Sequence, residues 1–383
     1  MNRPIDGFFN GGGAAPVGSE LTFPDNLPVK IVTGGQEWLQ SGYVETDQAK
    51  FDAAFWDYTR ATVWSKSSAW SGRANIAAAS NLNTVVVAAS ATTAPAQGGV
   101  FVSTDGGLTF GSIVSLSNYA SNESANNVAW VQSFGLWIVI SSAGKIHTSP
   151  DAVTWTERTS GTTNSLVGFS FANGVLVVVG ASGTILTSAN GTTYTVRTSN
   201  VTGVGFNSVA YYSGVWLAVS TSEASKGSRS TDNGVTWVAV TVTPTGFTNI
   251  VSVIASDLGF IAVVSSGGGG VFKSTTGATG SWTYVGHKSL GLTSPTYNGE
   301  FYLFRSGGNI YKSYDLVEMR IFSFGLTTIQ RVLAVGGKFL CCANDGVSDS
   351  ALYLGNTSAY AGNPTRNGTN VVGISMVSYV RIK

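Results

Sequence analysis

Apolar blocks of about five residues alternate along the chain with turns rich in Gly, Asn and Ser, a rhythm that suits strands rather than helices. The stretch from Ser208 shows the unit. Ser208–Tyr212 reads as a strand, Ser213–Gly214 as a turn and Val215–Val219 as a second strand. Lys226–Ser230 reads as a third strand, and Asp232–Gly234 as a hairpin leading to a fourth at Thr236–Val238. Second strands open again after turns at Gly135, Asn173, Leu258, Gly299 and Gly337. Third strands recur at Gly99–Val102, Lys145–His147, Thr184–Leu186, Val271–Lys273, Asn309–Tyr311 and Ala351–Tyr353. Such units begin near Asn75, Asn127, Val167, Ser208, Val251, Ser294 and Arg331. The fold class predicted is all-β: a β-propeller of seven four-stranded blades, preceded by a short non-propeller arm.

The turn after the third strand carries the strongest repeat. Ser103, Asp105, Gly107, Thr109 and Phe110 recur as Ser230, Asp232, Gly234, Thr236 and Trp237. Altered copies are Ser149, Asp151 and Trp155; Ser188, Asn190 and Tyr194; Ser274 and Thr276 leading to Trp282; and Ser313 and Asp315 leading to Met319. The large residues that end the copies follow one another at roughly 37–45 residues, the period of a blade. In such a turn the carboxylate accepts from backbone N–H groups, glycine supplies a positive φ, and the aromatic fills the gap between sheets. These residues are therefore assigned a structural role.

A propeller needs closure, because an open array leaves two sheet edges unpaired. Two segments could complete the last blade: 61–66, which is similar to Thr154–Arg158, or 372–383. The N-terminal segment is the stronger candidate, and the domain division is 1–60 for the arm and 61–383 for the propeller. Within the arm, Pro28–Thr33 reads as a short strand. Thr46–Thr59 reads as a helix carrying Phe51, Phe55 and Tyr58 on one stripe, with Thr46 as its cap. That aromatic stripe either packs on the propeller rim or docks on a partner protein.

Composition narrows the chemistry. Of 383 residues, 11% are charged, with a net charge of +1 and 48 glycines; an ordinary domain carries about 25% charged residues. There is no basic stripe for nucleic acid, no apolar run long enough to span a membrane as a helix, and no signal-peptide core at the start. Synthesis and retention in a cytoplasm are the expectation. Cys341 and Cys342 are adjacent and read as small buried apolar residues. The only histidines, His147 and His287, are too few for a histidine-based metal site, and the Gly267–Gly270 run precedes no helix that would hold a phosphate. No cofactor is expected.

The Ser-x-Asp-x-Gly-x-Thr-aromatic pattern resembles the Asp-box, or BNR repeat, of sialidase-like propellers. That resemblance implies, for an enzyme, three arginines holding a carboxylate, a tyrosine nucleophile and an acidic partner. The arginines are few: Arg158, Arg197, Arg229, Arg305, Arg320 and Arg331 in the blades, with Arg73 before them. The family's early Arg-Ile-Pro signature is absent, and Asp257, Asp345 and Asp349 sit in Gly/Ser turns. A glycan hydrolase is thus a remote alternative, and no catalytic or metal residue is assigned.

The ends of the chain resemble bacteriophage tail proteins: Gly11–Ser19, Val29–Thr33 and Glu37–Tyr43 at the head, and Tyr379–Lys383 at the tail. This resemblance implies a non-enzymatic virion component of tail, collar, baseplate or fibre. Residues 1–60 would anchor the propeller to other virion proteins, as a monomer or homo-oligomer, after assembly in the host cytoplasm. The alternative is a receptor-binding propeller that attaches to host surface glycan.

Overall fold

The computed structural model describes residues 73–81, 84–91 and 98–323, apart from loop positions 202, 221–225, 243–248, 266–268, 289 and 298–301. Beyond these it gives the backbone of a few further strands. Two compact units are present: Lys66–Gly336 with Leu340–Leu354, and Met1–Ser65 with Gly337–Phe339 and Gly355–Lys383. The described parts of the second are antiparallel pairs of two-residue strands: Leu21–Thr22 with Pro28–Val29, Val32–Thr33 with Gln36–Glu37, and Thr365–Arg366 with Thr369–Asn370. The segment expected as one strand from Pro28 is thus divided between two pairs. The expected helix with Phe51, Phe55 and Tyr58 lies outside the described residues, as does segment 372–383.

The first unit is an all-β propeller, and six of its sheets are antiparallel meanders of four consecutive strands. Blade 1 comprises Arg73–Asn81, Thr84–Ala91, Gly99–Ser103 and Val114–Ser115. Blade 2 comprises Ala125–Val131, Leu136–Ser141, Ile146–Ser149 and Thr156–Arg158. Blade 3 comprises Leu166–Ala172, Val175–Gly180, Ile185–Ser188 and Thr195–Arg197. Blade 4 comprises Phe206–Tyr212, Val215–Ser220, Lys226–Ser230 and Val238–Thr241. Blade 5 comprises Ile250–Ser256, Gly259–Val264, Gly270–Ser274 and Thr283–Gly286. Blade 6 comprises Thr293–Tyr297, Tyr302–Ser306, Asn309–Ser313 and Arg320–Ser323.

The expected count of seven such blades is corrected to six. After Ser323 the chain does not build another meander of four consecutive strands. Thr328–Val335, Lys338–Asn344 and Ala351–Asn356 form a sheet whose fourth member is Ser65–Ala69, from the other end of the chain. The turn signal that ends blades 1–6 is missing after Tyr353, so the sequence offers no local hairpin from which a consecutive fourth strand could start.

Packing explains the continuous apolar runs. Second strands are covered on both faces, so Val85–Ala89, Ile138–Ile140, Val177–Val179, Leu217–Val219 and Ile261–Val263 are fully buried. Successive side chains point to opposite faces and so to different neighbours. Val86 and Ala88 pack with Val128, Trp137 and Val139 of blade 2. Val85, Val87 and Ala89 pack with Phe101 on the opposite face of blade 1. Ile138 and Ile140 meet Leu176 and Val178 between blades 2 and 3. Val177 and Val179 meet Phe206, Trp216 and Trp237 between blades 3 and 4. Leu217 and Val219 meet Phe260 and Trp282 between blades 4 and 5, and Ile261 and Val263 meet Tyr302 and Phe304 between blades 5 and 6. In blades 2–6 the large residue that ends the turn therefore packs against the blade before its own.

The innermost strand of each blade has a register shift at an equivalent point: Asn75/Ala77, Ala125/Asn127, Leu166/Gly168, Phe206/Ser208, Ile250/Ser252 and Thr293/Thr296. A bulge adds local twist and re-aims the side chains beside it. Here it governs which groups line the centre.

Candidate functional site

The inner strands of blades 2–6 enclose a cavity of about 690 Å³. Its polar lining comes from the bulges. Asn126 Nδ2 donates to Leu166 O at 2.8 Å and to Ser165 Oγ at 3.2 Å, and Asn127 Nδ2 donates to Val167 O at 3.3 Å. At the equivalent place in blade 3 a side chain is excluded: a Cβ on Gly168 would lie 2.7 Å from Asn207 O. Asn207 Nδ2 bridges onward to Ile250 O at 3.3 Å and to Val251 O. Ser208 Oγ donates to Val253 O at 3.0 Å and accepts from Val253 N at 3.1 Å. Each bridge runs from one blade to the backbone of the next, so the polar ladder also fixes the blades to one another.

At the far side of the cavity Arg305 Nε donates to Ser294 Oγ at 2.8 Å, and Nη1 donates to Ile329 O. Arg305 is the one charged side chain among the described lining residues. Phe169, Phe171, Tyr211 and Tyr297 add aromatic surface. The cavity thus offers amides, hydroxyls, aromatic faces and a single held cation. No carboxylate side chain is among its lining residues, and the nearest one reported is Asp257, which accepts from the lining Tyr297 OH at 2.7 Å.

The turn residues singled out from sequence lie away from this cavity, at the tips between third and fourth strands. Ser103 Oγ donates to Asp105 Oδ1 at 2.6 Å and accepts from Gly107 N at 2.8 Å. Asp105 accepts from Thr109 N at 2.9 and 3.1 Å and from Thr109 Oγ1 at 2.6 Å. Ser230, Asp232, Gly234 and Thr236 repeat this, with contacts of 2.5–3.1 Å. In the shortened copies Asp151 accepts from Val153 N and Thr154 N, both at 2.8 Å, and Asn190 Oδ1 accepts from Thr192 N and Thr193 N, both at 2.9 Å. Asp315 accepts from Val317 N at 2.8 Å and Glu318 N at 3.1 Å. The Ser hydroxyl accepts from the N–H of a residue with positive φ in blades 1 and 3–6, namely Gly107, Gly191, Gly234, Gly277 and Leu316.

The terminal aromatics close the turns. Trp155 Nε1, Tyr194 OH and Trp237 Nε1 each donate to the carbonyl three residues earlier, at Ala152, Gly191 and Gly234, over 2.9–3.1 Å. Trp282 follows a turn lengthened by Gly280–Ser281, and its buried Nε1 has no partner. Phe110 and Met319 pack on clusters at the faces of blades 1 and 6.

These bonds set the ionisation of the turns. Burial works against the charged Asp105, but donors from Ser103, Thr109 and Leu108 outweigh it and hold its pKa at about 2. The Thr236 hydroxyl and N–H, with Ser230, hold Asp232 at about 2. Asp151 is lowered by the N–H groups of Thr154 and Val153 and the hydroxyl of Ser149. Carboxylates stabilised as anions in this way are poor proton donors at neutral pH.

The histidines are structural. His147 is 0% exposed, and its Nε2 lies 3.0 Å from Ser117 O. His287 Nε2 lies 2.6 Å from Leu316 O. Asp257 accepts from Tyr297 OH at 2.7 Å. Asp345 and Asp349, and the side chains of Cys341 and Cys342, lie outside the described residues. Among the described residues no group of three His, Cys, Asp or Glu side chains could hold a metal ion, and no helix is long and apolar enough to cross a membrane.

The bulge residues Asn126, Asn127, Asn207 and Ser208 were not singled out from sequence. Their signal is a polar pair opening an otherwise apolar inner strand, at Asn126–Asn127 and again at Asn207–Ser208. It is too short to be distinguished from a turn without the register.

No protein-family model matches the chain, and no curated protein matches it. Solved structures do. YCF48 bound to D1 peptide is 14% identical, with a TM-score of 0.57 over 75% of this chain and 94% of that one. YCF48 from Cyanidioschyzon merolae is 13% identical, with a TM-score of 0.54 over 77% and 99% of the two chains. The WD40 β-propeller domain of Doa1 is 11% identical, with a TM-score of 0.54 over 79% and 100%. Identities this low speak for the fold alone: a β-propeller distantly similar to these. The expectation of a viral tail protein for host attachment is corrected: these similar structures are non-viral propellers, and none of the three is a phage or Asp-box sialidase structure. The expected docking of residues 1–60 on virion proteins falls outside the described residues. The protein is a β-propeller whose repeated acidic residues are held in turns.

Proposed function

We propose that the protein is an adaptor whose propeller holds an extended segment of a partner polypeptide in the central cavity. The observation that carries this reading is the lining itself. Backbone edges, asparagine amides and serine hydroxyls alternate with Phe169, Phe171, Tyr211 and Tyr297 around about 690 Å³. Sites of about 300–1,000 Å³ suit a ligand of drug size, which corresponds to a few residues of extended chain. Peptide groups need both donors and acceptors; the Asn126 and Asn207 amides are engaged with the next blade, and the hydroxyls of Ser170, Tyr211 and Thr296 in the lining are groups that can serve as either. A propeller of similar fold, YCF48, has been solved with a peptide bound, which supports the reading as a precedent of shape.

The test is binding of a fluorescent library of short extended peptides to the full chain. Thr296 is exposed and lines the cavity, and Ser170 lines it from blade 3. Thr296→Trp and Ser170→Trp should fill the space, leave the melting temperature within a few degrees, and abolish binding. Binding unchanged in both variants, or absent from the wild type up to about 1 mM peptide, a weak affinity near 4 kcal/mol, would reject the proposal.

A further inference from the structure

The chain has almost no net charge, yet among the described residues the few charges are sorted by end. In a meander, the turns between second and third strands lie at one end of the propeller, and those between first and second and between third and fourth lie at the other. At the first end stand Lys145 and Lys226 beside their turns, Arg158 and Arg197 closing fourth strands, Lys288 just past one, and Arg305 near the end of a second strand. The acids described there are Glu123, which is buried and pairs with Lys145 at 2.6 Å, and Glu157, which accepts from Asn118 Nδ2 at 2.6 Å. At the opposite end the turns carry Asp105, Asp151, Asp232, Asp257, Asp315 and Glu318, and no described turn there carries a lysine or arginine. The cations nearest that end are Arg229, Lys273 and Lys312, each one residue before its turn, and Arg320. Of these, Arg229 Nε donates to Thr276 O at 2.8 Å, and Lys312 is buried with its Nζ 4.6 Å from the Tyr314 ring centre.

The cavity runs between these ends and holds Arg305 at the cationic one. A cleft bounded by low-dielectric walls focuses such a field on whatever enters it. We infer that the partner segment is acidic and presents its carboxylates to the end bearing Arg305, Lys226 and Lys288. This inference rests on the peptide-binding reading above and gives that site its charge preference and polarity. The fold imposes the sorting because acids are wanted in the third-to-fourth turns as acceptors, whereas the other end has no such demand.

The experiment compares three labelled peptides on the full chain by fluorescence anisotropy: alternating Glu/Gly, alternating Gln/Gly and alternating Lys/Gly, with a labelled oligothymidylate as a fourth arm. The acidic peptide should bind about tenfold tighter than the neutral one in low salt. The gain should collapse as salt rises from about 50 to about 500 mM. Lys226→Glu with Lys288→Glu should remove the gain while the neutral peptide still binds and the melting temperature holds. Arg305→Gln tests the cavity mouth directly, and the lysine pair keeps the test decisive if loss of the Ile329 contact unfolds that variant. Equal binding of the three peptides, a gain insensitive to salt, or tighter binding of the oligothymidylate overturns the inference and leaves peptide binding standing. Failure of all three peptides overturns the peptide reading and the inference with it.

Discussion

Trp237 donates its indole N–H to the carbonyl of Gly234 at 3.0 Å, so one side chain both closes its own turn and fills the space between blades 3 and 4. The turn and the blade junction therefore form together. Gly234 makes this possible with φ +86, a conformation that turns its carbonyl toward the ring.

Trp237→Ala should destabilise the propeller by about 3–5 kcal/mol, the range for a large aromatic lost from a core. The paired substitutions Trp237→Phe and Trp282→Phe separate packing from hydrogen bonding. Trp282 Nε1 is buried without a partner, whereas Trp237 Nε1 is satisfied. Trp237→Phe should thus cost about 1–2 kcal/mol more than Trp282→Phe. Urea unfolding of the two variants measures the difference, and equal losses would show that the bond contributes nothing.

The acid side of the stability profile belongs to the turns. Asp105 and Asp232 have pKa values of about 2, below the ordinary carboxylate value of 3.8. A depressed carboxylate stabilises the fold fully above its unfolded pKa, and that contribution is lost as pH falls through the folded one. The loss should fall between about pH 4 and pH 2. Asn190 occupies the same place in blade 3 and still accepts two backbone N–H groups. Asp105→Asn and Asp232→Asn should therefore fold and unfold with a shallower acid limb. A limb of unchanged steepness in the double variant would assign acid unfolding to other groups.

The sequence is most legible where folding is local. The turn from Ser230 to Trp237 involves residues at most four apart in its Ser, Asp, Gly and Thr bonds, so its chemistry reads directly from spacing. The strands of blade 4 read as well, because Val215–Ser220 is buried on both faces and its apolar run is unbroken. The cavity was not legible. Its ladder joins Asn126 to Leu166 and Asn207 to Val251, residues about forty apart, through bulges that alter the simple alternation of faces. The blade count failed for a related reason. Ser65–Ala69 completes a sheet with strands more than two hundred residues later, and although 61–66 is similar to the fourth strand at Thr154–Arg158, no local hairpin joins it to those strands.

Gly168 tests the close approach of blades 3 and 4. A Cβ there would meet Asn207 O at 2.7 Å and Asn207 C at 3.2 Å, both backbone atoms that cannot rotate away. Gly168→Ala should destabilise by about 1–3 kcal/mol through overpacking. It should also weaken the Asn207 bridge to blade 5. Thermal unfolding reports the first effect, and hydrogen exchange at Val251 and Val253 reports the second. A variant as stable as the wild type would mean that the blades separate there at little cost.

His147 sets the stability profile nearer neutrality. Its Nε2 faces Ser117 O at 3.0 Å and Ser117 Oγ at 3.2 Å; the carbonyl can only accept, which favours the tautomer with the proton on Nε2 and Nδ1 bare. Nδ1 is buried and has no partner, and the ring stands edge-on to Tyr119 at 5.4 Å. Burial pushes the imidazole pKa down, against the Ser117 carbonyl and the charges of Glu157 and Glu123, which raise it; Lys145 adds to the lowering. The unfolded chain therefore takes up a proton below about pH 6.5 that the folded chain refuses, and stability must decline as pH falls through that value. The same third-strand position holds Phe101 in blade 1, Phe272 in blade 5 and Tyr311 in blade 6, so an aromatic ring without a titrating nitrogen suits the site. His147→Phe should keep the fold and flatten the melting temperature between about pH 5 and pH 7. In the wild type the decline should come with faster hydrogen exchange in 117–123, the loop held by His147, Lys145 and Glu123. An identical decline in the variant would transfer the effect to Glu123 or Glu157 and remove His147 from the account.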